Sequence, residues 1–341
     1  MTINKKISDA AEAADQARAL SNLAAQARTT RELRGLLRSL TDDVDHLRRD
    51  LVVALGTKGQ APLKISVKKN KTKGKITPIC LWSDWHIDEP VPPEQGHGNV
   101  YSPEIADQRF QKLLSETVSL VQTAQKTNVI SEVVVWCGGD FFSGMIHPDL
   151  QETVSESPAQ ISLRVYDMLK YGLTYIADKT KLKVYVPCSW GNHGRLTAKP
   201  RVSTAASHNL EQIVYQSLAR DMDSRFTFDV SKTAFKYLEL GNFVVRFNHG
   251  DGGLRFGGGV GGLSIPLHKW KARLDEHRTA NLSIIGHWHQ ARNFSHSICN
   301  GSMIGNNEYS AAFGSEPPTQ LIVMIDRELE RVGPVYPVYL D

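Results

Sequence analysis

The sequence predicts an α/β protein, a β-sandwich flanked by helices and preceded by an N-terminal helical extension. Three observations lead there. From Ile76 onward, short apolar runs alternate with longer amphipathic stretches, the pattern of strands and covering helices. From Phe226 onward, strand-like runs follow one another without a helix between them. Five apolar runs also end in Asp, Asn or His, and the carboxyl ends of strands are where open α/β sheets place their sites.

A chain of 341 residues, 41% hydrophobic and 22% charged, can bury one large core, or one core with a smaller appendage. Met1 to Leu20 has no apolar signal core, and no stretch approaches the roughly 18–20 apolar residues of a spanning helix. The expectation is a cytoplasmic protein with no membrane partner. Cys80, Cys137, Cys188 and Cys299 show neither C-x-x-C spacing nor a disulfide framework, and the first three lie inside apolar runs. They read as buried thiols, which argues against a structural zinc site.

Residues 1–55 read as helical. Thr29 to Glu32 has the capping-box pattern. Leu33, Leu37, Leu40, Val44, Leu47 and Leu51 then recur at four-three spacing, the seam of a short coiled coil interrupted by Gly35. Self-association into a homo-oligomer and docking on the main domain both fit this face. Residues 56–75 form a linker with seven lysines and no acid, within which Leu63 to Val67 could pair as a short strand. The formal charge of +4 is therefore uneven: 1–55 carries +1 and 56–75 carries +7, leaving −4 for the main domain, 76–341. Such a basic stretch attracts phosphate backbone without reading sequence, or serves as a solvated tether.

In the main domain, Ile76 to Ser83 reads as a strand ending at Asp84. Ser102-Pro103 then opens a helix with Phe110, Leu113, Leu114, Val118 and Val121 on one face. Val133 to Cys137 is a strand running into Gly138-Gly139-Asp140, and a second helix follows with Ile161, Val165, Leu169 and Ile176 aligned. Lys183 to Cys188 leads to Gly191-Asn192-His193, and a third helix is expected over 203–220. Strands are expected at 226–230, 235–240 and 243–247, the last ending at His249. After a glycine-rich loop at 257–262, Pro266 should open a helix to about Glu276. Leu282 to Ile285 then runs into Gly286-His287-Trp288-His289, with further strands near 294–299 and 321–326.

Each polar strand end has an ordinary explanation when taken alone. Asp84 could cap a helix, Asp140 could stabilise a turn, and His249 could be a satisfied core histidine. Seven such residues at five strand ends, with no cysteine among them, read more economically as one metal site. Asp84-x-His86, Gly139-Asp140, Gly191-Asn192-His193, His249 and Gly286-His287-x-His289, in that order, resemble the motifs of the calcineurin-like metallophosphoesterase superfamily. The resemblance covers roughly residues 76–330 and leaves the N-terminal helices unexplained.

That resemblance implies a metallophosphoesterase-type sandwich and two divalent metal ions. Asp84, His86 and His289 would hold one ion, Asn192, His249 and His287 the other, and Asp140 would bridge both. Mixed carboxylate and imidazole donors suit Mn2+, with Fe2+ or Zn2+ as alternatives. Two ions about 3.5–4 Å apart can clamp a phosphoryl group and lower the pKa of a bridging water, whose hydroxide attacks phosphorus in line. His193 would face substrate as proton donor to the leaving oxygen. Arg195 could bind a phosphate oxygen with its planar fork, or be a solvated loop arginine. Asp88, His97 and His147 default to structural or exposed roles.

Departures from the family's pattern narrow it. Phe141-Phe142-Ser143 follows Asp140 where purple acid phosphatases carry Tyr, and Gly194 follows His193 where many relatives carry an acid. Asn300-Gly301-Ser302 and Glu308-Tyr309 loosely resemble phage DNA repair exonuclease-like members. The expected function is a metal-dependent phosphodiesterase acting on DNA, in the manner of Mre11/SbcD-type nucleases. The alternatives are a phosphoesterase for nucleotides or other small phosphoesters, and a non-catalytic binding or assembly protein with a structural metal centre.

Overall fold

The computed structural model describes residues 74–341 except 145, 147, 155, 253, 255–261, 312, 313 and 315; before them it describes 15, 18–22, 34, 35, 37, 38, 40 and 44. The chain divides into two units, 1–69 and 70–341. In the first, every described residue is helical, and Leu37, Leu40 and Val44 are exposed. The rest of the four-three seam, the capping box at Thr29, the strand expected at Leu63 to Val67, most of the 257–262 glycine loop and His147 lie outside the described residues.

The second unit runs in the order β1 (Gly74–Trp82), α1 (Pro103–Thr127), β2 (Asn128–Val129), β3 (Glu132–Cys137), α2 (Pro148–Thr153), α3 (Pro158–Thr180) and β4 (Lys183–Pro187). A 3-10 turn (Ala206–His208) leads to α4 (Leu210–Asp221), β5 (Phe226–Asp229), β6 (Lys236–Leu240) and β7 (Phe243–Phe247). Then come α5 (Ser264–Asp275), β8 (Leu282–Ile285), β9 (Arg292–Asn293), β10 (Ser297–Cys299), α6 (Glu308–Ala311), β11 (Thr319–Asp326) and β12 (Arg331–Tyr339). No helix among the described residues is long and apolar enough to cross a membrane.

Two sheets result. The larger runs β12-β11-β1-β3-β4-β5, with β2 beside the start of β1. Strands β1, β3, β4 and β5 are parallel, while β11 and β12 add antiparallel. The smaller sheet runs β6-β7-β8-β10-β9, with a parallel centre of β7, β8 and β10. Alternation along β1 explains the layering. Ile79 and Leu81 join Val134, Trp136, Phe247 and Ile284 in a core between the sheets. Cys80 and Trp82 face the other way, into the core beneath α1, α3 and α4 with Phe110, Leu114, Leu173 and Leu218. Helix α5 covers the far face of the smaller sheet, where Leu267 and Trp270 pack with Ile285 and Trp288. The sandwich flanked by helices is the architecture expected.

Local sequence accounts for the helix starts. Ser102 Oγ accepts from Ile105 N–H ahead of Pro103, and Ser157 and Gln160 complete a capping box ahead of Pro158. Gly172, inside α3, costs about 1 kcal/mol in helix propensity. It is explained by packing, because a Cβ there would lie 2.7 Å from Phe110 and 2.9 Å from Trp82. Two expectations shift, and one strand is new. Helix α4 begins at Leu210 rather than 203, because Asn209 is its cap and the preceding residues form the 3-10 turn. Helix α5 begins at Ser264, two residues before Pro266. Strand β12 was not expected, since Pro334 and Pro337 interrupt its pattern; it is an edge strand, where missing N–H donors are tolerated.

Candidate metal centre

All the predicted ligands follow the carboxyl ends of strands from the two sheets. Asp84 and His86 follow β1, Asp140 follows β3, Asn192 follows β4, His249 follows β7, and His287 and His289 follow β8. Asp84, His86, Asp140, His287 and His289 all adopt left-handed backbone, with φ of 57, 50, 53, 69 and 54°. Asp and His tolerate this region better than most residues, yet each instance costs about 1 kcal/mol or more and persists only where its surroundings enforce it. Here they do. Asp84 N–H donates to Gly139 O at 2.9 Å, Trp85 N–H to Asp140 O at 2.8 Å, and His287 N–H to Asp84 Oδ1 at 2.9 Å. The β1, β3 and β8 loops are thereby tied into one rim.

Two groups of donors emerge. Ligand atoms of Asp84, His86 and His289 lie within 4.8 Å of one another, and so do those of Asp140, His249 and His287. A third set, His86, Asp140 and His193, overlaps both and puts Asp140 at the centre. Asn192 Oδ1 stands 3.1 Å from His249 Nε2, so the amide belongs with the second group. Whether a metal fits can be judged from the polar atoms themselves. Asp84 Oδ2, His86 Nε2 and His289 Nδ1 are buried without a hydrogen-bond partner. His289 turns its other nitrogen, Nε2, toward Asp84 Oδ1 at 3.6 Å. Leaving His86 Nε2 dry and unpaired is costly, and a divalent cation between these side chains would satisfy it. The donors fit a metal.

Hydrogen bonds from the far side of each ring fix which nitrogen faces the centre. Ser143 Oγ donates to Glu89 and so accepts from His86 Nδ1–H at 2.8 Å, leaving His86 Nε2 as the lone-pair nitrogen. His249 Nδ1 lies 2.8 Å from Gly138 O, and its Nε2 lies 2.8 Å from Asp140 Oδ2. With acceptors on both nitrogens the imidazole is held protonated. Burial opposes that charge, but the Asp140 carboxylate outweighs it and holds His249 well above the usual histidine range. For Asp140 the balance is reciprocal: burial raises it, and His249 with His193 brings it well below the usual carboxylate range. A metal at this position would replace the His249 proton.

The other donors are dominated by burial. It pushes Asp84 up to about 7, aided by Asp140 and resisted by His249. His86 and His287 are each pushed down to about 3, by burial first and then by neighbouring imidazoles, and His289 is lowered in the same way. Neutral imidazoles are the form that binds metal.

His193 is half-buried, with its ring edge-on to His86 at 4.8 Å and Nδ1 2.8 Å from Ser143 O. That bond assigns the Nδ1–H to the Ser143 carbonyl. His86, Asp140, Asn192, His193, His287 and His289 open onto one cavity of about 630 Å³, whose outer wall includes Glu89, Val91, Leu150, Glu152, Glu308 and Tyr309. Arg195 is not among its lining residues. The guanidinium turns back on its own loop, to Asn192 O at 3.0 Å and Thr197 O at 3.2 Å. A larger hollow, about 710 Å³ beside Phe243, Lys271 and His296, contains none of the predicted ligands.

Asp88 is buried and accepts from Ser143 N–H at 2.7 Å, and His97 is exposed in a turn. Reading of the sequence assigned no part to Ser143, Glu89 or Glu211. Ser143 and Glu89 lie within three residues of a predicted ligand, which is the only local signal they carry. Glu211 carries none.

No protein-family profile and no curated protein sequence matches the chain. Among solved structures, the chain is similar to a single mutant of Vps29 from Entamoeba histolytica (14% identity, 77% of this chain and 99% of that one, TM-score 0.32). It is also similar to Vps29 from Chaetomium thermophilum (12% identity, 76% and 95%, TM-score 0.31). A third is the sulfate thiohydrolase SoxB from Thermus thermophilus (10% identity, 79% and 57%, TM-score 0.31). At such scores the likeness carries no argument, and the site stands on its own geometry.

Proposed function

We propose that this chain is a two-metal phosphoesterase of the calcineurin-like kind. One observation carries the reading: groups of N and O donors overlap through His86 and Asp140, and the buried His86 Nε2 has no other partner. In this reading Asp84, His86 and His289 would hold one divalent ion, Asn192, His249 and His287 would hold the other, and Asp140 would serve both. Ions bound there would supply Lewis-acid neutralisation of the phosphoryl charge and a lowered water pKa. The protein's share is to fix the donors, exclude bulk water and present His193 Nε2 to the leaving oxygen. Arg195 has no part while its guanidinium stays on the loop carbonyls.

Two substrate classes remain distinct. Among the described residues, the 630 Å³ cavity is lined by Glu89, Glu152 and Glu308 and by neither Lys nor Arg. Carboxylates there repel the flanking phosphates of a polynucleotide, which favours a small phosphoester with a single phosphate at the centre. DNA hydrolysis is the second reading. It is supported by the seven lysines of residues 56–75, which could track a phosphate backbone.

The test uses protein stripped with chelator and reloaded with Mn2+. An aryl phosphodiester, a nucleotide panel, and linear and closed circular DNA are assayed together. Hydrolysis of the aryl ester and a small phosphoester, lost in His193→Ala, is the expected result. Metal-dependent cutting of DNA would move the assignment to the nuclease, and the circular substrate would separate endo- from exonucleolytic action. No hydrolysis of any substrate by fully loaded protein would leave a non-catalytic metal protein.

A further inference from the structure

We infer that Glu211 is a positioning residue of the metal centre, clamping the Asn192 loop against the Asp140 loop; this rests on the two-metal reading above. Glu211 lies in the first turn of α4 and is fully buried. Its Oε1 accepts from Phe141 N–H at 2.9 Å, and its Oε2 accepts from Gly191 N–H at 2.7 Å. Phe141 directly follows Asp140, and Gly191 directly precedes Asn192. One carboxylate therefore spans two loops that arise from different strands.

A second contact from the same helix end completes the clamp. Asn209, the α4 cap, accepts from Glu211 N–H at 2.9 Å through Oδ1. Its Nδ2 donates to Gly191 O at 2.8 Å, so both backbone groups of Gly191 are captured. The loops are in direct contact: a Cβ on Gly139 would stand 2.2 Å from Gly191 N, and one on Gly191 would stand 2.0 Å from Asp140 Oδ1.

Chemistry favours this role over simple packing. Among the described residues no Lys or Arg forms an ion pair with Glu211. Burying a carboxylate without a cation is expensive, and an apolar side chain would fill a packing position at lower cost. What a carboxyl group offers is two oxygens held at a fixed spacing, each of which here accepts from a backbone N–H. Gln cannot substitute, because its amide NH2 would face one of those donors. Loss of Glu211 would release the Gly191 N–H and let Asn192 shift from His249, while Asp84, His86 and His289, on other loops, keep their places.

The experiment is a stepwise Mn2+ titration of wild type and Glu211→Gln, followed by calorimetry and by electron paramagnetic resonance. Circular dichroism checks the fold. Wild type should bind two ions and show the signature of a spin-coupled pair. Glu211→Gln should keep one ion with affinity within twofold, bind the second at least tenfold more weakly, and show an isolated-ion spectrum. Equal tight binding of both ions by Glu211→Gln, or weakening of both together, overturns the inference. If Glu211→Gln does not fold, Asn209→Asp carries the test, since it keeps the helix cap and replaces the donor to Gly191 O with an acceptor. At least threefold selective weakening of the second ion is expected there, and unchanged binding overturns the inference. A wild type that never binds a second ion fails the two-metal reading instead, so the two failures are distinguishable.

Discussion

Ser143 Oγ and His86 Nδ1 stand 2.8 Å apart, and the hydroxyl's own proton goes to Glu89. The relay runs carboxylate, hydroxyl, imidazole, and it ends at a buried His86 Nε2 with no other partner. Through it a residue that touches no metal decides which tautomer His86 adopts.

Ser143→Ala removes that control while leaving the fold. Loss of such an outer partner typically costs about 10–100-fold in metal affinity or activity. The variant is expected to bind the ion of Asp84, His86 and His289 within that range more weakly, as read by competition with a chelator of known affinity. Unchanged affinity would mean that packing alone orients His86.

Gly191→Ala tests how closely the loops must approach. The added methyl would lie 2.0 Å from Asp140 Oδ1 and 2.4 Å from Asp140 N, so backbone has to move. Overpacking of this kind costs about 1–3 kcal/mol, which a denaturant titration of the metal-free protein should register. Hydrolysis should fall more than stability alone explains, because Asp140 is displaced.

Much of this molecule was legible in its sequence, and the remainder has a common cause. Strands β1, β3, β4, β7 and β8 are short, largely apolar runs whose ends carry Asp, Asn or His, so the seven candidate ligands could be picked out before any contact was known. The left-handed backbone at five of them was not legible, since it is imposed by bonds such as His287 N–H to Asp84 Oδ1, between residues 203 apart. Glu211 escaped notice for the same reason: its partner Phe141 is 70 residues away. Arg195 shows the converse. Proximity to Asn192 in the chain made it a candidate, but the loop's own carbonyls take its guanidinium. Strand β12 was hidden by prolines that an edge position accommodates.

Metal uptake should depend on pH through Asp84. Its carboxyl is raised to about 7 by burial in the metal-free site, so at pH 6 it is mostly protonated and at pH 8 mostly ionised. A cation binding at pH 6 must displace that proton, whereas at pH 8 it need not. Affinity for the ion held by Asp84, His86 and His289 should therefore rise from pH 6 to 8 and level off above, whereas the second ion still competes with the His249 proton. Proton release, read by calorimetry in buffers of different ionisation enthalpy, should be larger at pH 6. Equal release at both pH values would mean that Asp84 is already ionised in the free site.

The central claim, that Asp140 joins two groups of donors into one hydrolytic centre, is tested most directly by counting metal. Wild type and Asp140→Ala are stripped, reloaded with Mn2+, freed of excess ion, and measured for metal per chain and for aryl phosphodiester hydrolysis. The account predicts two ions and activity for wild type. For Asp140→Ala it predicts loss of the second ion, a weakened first and no hydrolysis, with the fold retained by circular dichroism. Two ions and full activity in Asp140→Ala would contradict it.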